Sequence, residues 1–68
     1  MDFVQKARVR IEHWIDHSEH HLEEYSAFAE ELDGAGKQRS AGHIREMMDH
    51  SVRSMECLKA ALQALGSD

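Results

Sequence analysis

Apolar residues recur at helical spacing along almost the whole of this chain, and the pattern is interrupted once. Val4, Ala7, Ile11, Trp14, Ile15, Leu22, Tyr25, Ala29 and Leu32 form one stripe. Ala41, Ile44, Met48, Ser51, Met55, Leu58, Leu62 and Leu65 form a second. Between them stands Asp33-Gly34-Ala35-Gly36. The chain has no proline and no threonine, and few β-branched residues, so local preference favours helix over strand. Neither flank of Asp33-Gly34 alternates with period two, which excludes a β-hairpin there. The expected fold is all-α: an antiparallel two-helix hairpin with helix 1 over about 3–33 and helix 2 over about 37–65.

The ends of the helices carry their own signals. Asp2-Phe3-Val4-Gln5 reads as a capping box, with an acceptor at the N-cap and glutamine three residues on. Gly34 is placed to take a left-handed conformation after helix 1, and Gly66 marks a stop for helix 2. Helix 2 either starts at a Ser40 cap or begins near Gly36 and carries Gly42 inside. The earlier start is favoured because antiparallel helices are usually joined by short connections.

At 68 residues the sequence is one domain, 1–68, near the lower limit for burying an adequate core alone. Two hairpins dimerising into a four-helix bundle would cover the apolar surface that one leaves open. The formal charge is −5 with histidines neutral, which argues against nucleic acid as a partner. Lys6, Arg8 and Arg10, and likewise Lys37, Arg39 and Arg45, read as ordinary solvated surface. Cys57 is alone, so no intrachain disulfide forms. With no signal-like segment and no apolar run of membrane-spanning length, the expected location is cytoplasmic and no membrane association is expected.

Chemistry concentrates in His13-Trp14-Ile15-Asp16-His17-Ser18-Glu19-His20-His21-Leu22-Glu23-Glu24-Tyr25, which holds four of the six histidines. His13, His17 and His21 repeat every four residues, which stacks them on one helix face. On a helical wheel His21 borders the apolar stripe, with His17, Glu24 and His13 following on the same flank, whereas His20 points away. His43, His50 and Cys57 form a row of sevens on the corresponding flank of helix 2. Folding about Ala35 and Gly36 sets His21 level with His50, so His17, His21, Glu24 and His50 are the candidate metal ligands. His13, His20, His43 and Glu46 remain open as further ligands. The helix 2 row cannot chelate unaided, because residues seven apart are separated by about 10.5 Å along the axis. Imidazole and carboxylate suit nickel or zinc, and affinity order alone does not choose between them.

Other constellations fail. No glutamate is followed by histidine three residues later, and His-Glu-x-x-His is absent, so neither a di-iron bundle nor a zincin-type hydrolase is supported. Cys57 has no histidine near it in sequence and reads as a structural thiol. Met47, Met48 and Met55 read as core filler, and Trp14, Tyr25 and Phe28 as packing anchors. Hemerythrin-like proteins share only the HxxxH and HxxxE spacing, and an enzyme is not expected.

His13, Trp14, Ile15, His17, His21, Glu24 and Tyr25 together resemble the HWIxHNxxHxxEF-like first helix of small prokaryotic helical hairpins. Some of these resemble a domain appended to small nickel-binding proteins of the CooT type. Ser18 stands where that pattern has asparagine, and His20 is an additional histidine. The resemblance implies an accessory or metal-associated role with no fixed ligand set. Two functional readings result. One is a non-enzymatic metal-binding or metal-handling module built on the histidine cluster. The other is a homo-oligomeric interaction module without metal, whose histidines are surface or pH-sensitive interface residues.

Overall fold

The computed structural model describes residues 2–68 and consists of two helices, α1 over Phe3–Gly34 and α2 over Gln38–Ala64. They pack antiparallel as a hairpin, 51 × 18 × 10 Å in extent. The long dimension is that of α1, since 32 residues at 1.5 Å each span about 48 Å.

The capping box forms as the sequence indicates. The Gln5 N–H donates to Asp2 Oδ1 at 2.9 Å, and the Asp2 N–H donates to Gln5 Oε1 at 3.4 Å. At the other end, helix geometry runs through Gly34, and Ala35 closes it. The left-handed residue is Gly36, at φ 77°, not Gly34. The Gly36 N–H donates to the Asp33 carbonyl at 3.0 Å and the Lys37 N–H to the Leu32 carbonyl at 2.8 Å. This is the Schellman pairing, which satisfies two of the last carbonyls of α1. Because Asp33 and Leu32 keep helical bonding, the positive φ falls two residues later than the Asp-Gly dipeptide suggests. α2 begins at the earlier of the two expected positions, with Lys37 preceding it and no side-chain cap, and Gly42 lies inside the helix.

Two rows from each helix make the seam. Ile15 and Ala29 of α1 and Ala41 and Met55 of α2 are buried. Ile11, Ser18, Leu22, Tyr25 and Leu32 are half-buried, facing Ile44, Met48, Ser51, Leu58 and Leu62 in the same condition. Alanines at Ala29 and Ala41, fully enclosed near the connection, let the backbones approach there. Met55 fills the seam further along, in keeping with its reading as filler, while Met47 and Met48 are half-buried.

Three expected core residues lie outside it. Trp14 is 49% exposed, Phe28 51% and Val4 46%. Trp14 and Phe28 sit at the side of the seam, seven residues before and after His21, where one opposing helix is too narrow to cover them. Val4 lies where α1 overruns the end of α2. Arg45, expected as free surface, instead donates a hydrogen bond to Asp33 across the connection. That bond, together with the Asp33 charge, raises the guanidinium pKa above its already high ordinary value, so Arg45 remains a cation. The Asp33–Arg45 pair lies on one flank of the seam, and the histidines of α1 border the other.

Candidate functional site

The histidine side is built on one uninterrupted helix, so its spacing is that of the helix itself. The rings of His13 and His17 have centroids 5.0 Å apart, and those of His17 and His21 are 5.4 Å apart. Imidazoles that share one ion at metal–nitrogen distances of about 2.0–2.1 Å hold their ring centres roughly 5 Å apart. The ladder has the spacing of two adjoining two-imidazole chelates. His20, pointing outward, has its ring 6.5 Å from that of His21.

His21 is the most constrained of the set. Its Nδ1 lies 3.0 Å from Glu24 Oε1, and its ring stacks on Tyr25 with centroids 5.9 Å apart and planes 14° from parallel. An imidazole whose Nδ1–H is donated to a carboxylate presents Nε2 as its free lone pair. Glu24 is therefore placed to orient His21. The Tyr25 stacking follows from its position four residues on, a spacing visible in the sequence but read there only as packing.

Across the seam, His21, Ser18 and Tyr25 share a cleft of about 120 Å³ with Ser51 and Ser54 of α2. The level agrees with the expected fold-over, and Ser18 and Ser51 lie at matching heights. His50, expected opposite His21, does not line this cleft. Ser54 holds the facing position, about 40° nearer the seam on α2, and His50 lies further round the same side. His43 is on α2 with its Nδ1 3.9 Å from Glu46 Oε1, too long for a hydrogen bond. Cys57 is exposed.

Thus the structure brings His13, His17, His21 and Glu24 together along α1, and leaves His50, His43 and Glu46 apart from them. Among the described residues, no three histidine, cysteine, aspartate or glutamate side chains converge in a group able to hold an ion. Nor is any helix among them long and apolar enough to cross a membrane.

Fold and site define a small helical hairpin with a histidine ladder along the exposed flank of its longer helix. The chain belongs to the family described as Domain of unknown function (DUF8180), whose profile matches residues 7–65 and so takes in α2, all but the first turn of α1 and the whole ladder. No curated protein and no solved structure matches it.

Proposed function

We infer that the chain is a non-enzymatic metal-binding or metal-handling module for a nickel- or zinc-type divalent ion, working in the cytoplasm. The observation that carries this reading is the His17–His21 pair, whose ring spacing suits a shared ion and whose second member is oriented by Glu24. The first helix resembles that of small prokaryotic hairpins, some of which resemble a domain appended to CooT-type nickel-binding proteins, and this supports the reading. In this reading His17 and His21 are the primary ligands, with His13 one turn away as an entry ligand. Two imidazoles leave half or more of a four- to six-coordinate shell to other donors. An ion so held remains open to exchange, which suits handing it on rather than storing it.

The interaction-module reading is favoured by a different observation, the exposure of Trp14 and Phe28 beside the ladder. Calorimetric titration of the untagged, metal-stripped protein with nickel and with zinc separates the two. Under the metal reading, binding saturates at a fixed stoichiometry, weakens in mild acid and disappears in the double variant His17→Ala, His21→Ala with helicity intact. Weak, non-saturating heat that the double variant leaves unchanged would sink it.

A further inference from the structure

One hairpin is more open than a compact monomer of its size. Its accessible surface is 5354 Å², whereas a compact monomer of 7.8 kDa exposes about 4,400 Å². The radius of gyration is 15.7 Å, against about 11 Å for a globule of this length. The excess, on the order of 1,000 Å², is comparable to the roughly 800 Å² that each partner buries in a stable protein–protein interface.

The apolar part of that surface has a particular arrangement. Trp14, His21 and Phe28 are spaced by seven along one side of α1, so the two exposed aromatics stand symmetrically before and after His21. If a second α1 lies antiparallel on this side with the two-fold axis at His21, Trp14 of each chain meets Phe28 of the other. The neighbouring row, Arg10, His17, Glu24 and Glu31, then runs against its own reverse. Arg10 comes within one residue of the level of Glu31 of the other copy, and His17 likewise of Glu24, each twice. Among the described residues, neither Arg10 nor Glu31 has an ion-pair partner within its own chain. A surface complementary to itself in both shape and charge is what an isologous dimer requires.

We propose that a second copy of this chain covers the Trp14–His21–Phe28 side in this antiparallel register. The surface does not depend on the metal reading above.

Association is measured by analytical ultracentrifugation of the full chain in chelator. The expected result is a dimer that Arg10→Glu or Glu31→Arg alone weakens, and that the double exchange restores because both ion pairs re-form with reversed sign. Trp14→Ala with Phe28→Ala weakens it at least about thirtyfold, as expected for two central aromatic anchors. These positions are exposed, and circular dichroism checks that the variants keep their helices. A chain monomeric at every accessible concentration, or single and double exchanges that behave alike, overturns the register.

Discussion

Gly36 and Gly42 show how differently one residue type can serve this chain. Gly36 sits at φ 77°, in a region where a side chain costs about 1–2 kcal/mol. Gly42 is exposed inside α2, and a Cβ added there meets nothing within 4 Å. Gly36→Ala is expected to lower unfolding free energy by about 1–2 kcal/mol, and Gly42→Ala to raise it by about 1 kcal/mol. Urea unfolding of the two variants checks both signs. The sequence announces a glycine turn but not which glycine turns, because that depends on where the last helical hydrogen bonds of α1 close. Asp2→Ala removes the acceptor of the capping box and should cost about 1 kcal/mol in the same assay.

At the scale of the element, helical periodicity makes α1, α2 and the seam legible. Every member of the second stripe, from Ala41 to Leu65, is buried or half-buried. The ladder is equally legible, because fourfold spacing on one continuous helix fixes the rings relative to one another. What crosses between helices is harder to read. Small rotations about the helix axis decide whether His50 or Ser54 faces His21, and a wheel does not fix the rotation that packing selects. Exposure of Trp14 and Phe28 has a similar origin, since periodicity records that a residue is apolar but not which molecule covers it. Because His20 points away from the ladder, His20→Ala is expected to leave zinc affinity unchanged, while His21→Ala weakens it severalfold or more. Competition titration against a chromogenic chelator measures the difference.

For the molecule as a whole, a hairpin with four buried apolar residues among those described holds little reserve of stability. If association supplies the remainder, the melting temperature should rise with protein concentration, and thermal melts over a hundredfold dilution series would show it. An invariant melting temperature would mean that the single hairpin is self-sufficient. Whether particular imidazoles on α1 ligate an ion is read by nitrogen-resolved NMR of the six histidines during zinc titration. The Nε2 resonances of His17 and His21 are expected to move to metal-bound positions, with the His21 Nδ1–H still directed at Glu24 and His20 and His43 unmoved. All six rings shifting together and without saturation, or none shifting, would contradict the metal reading.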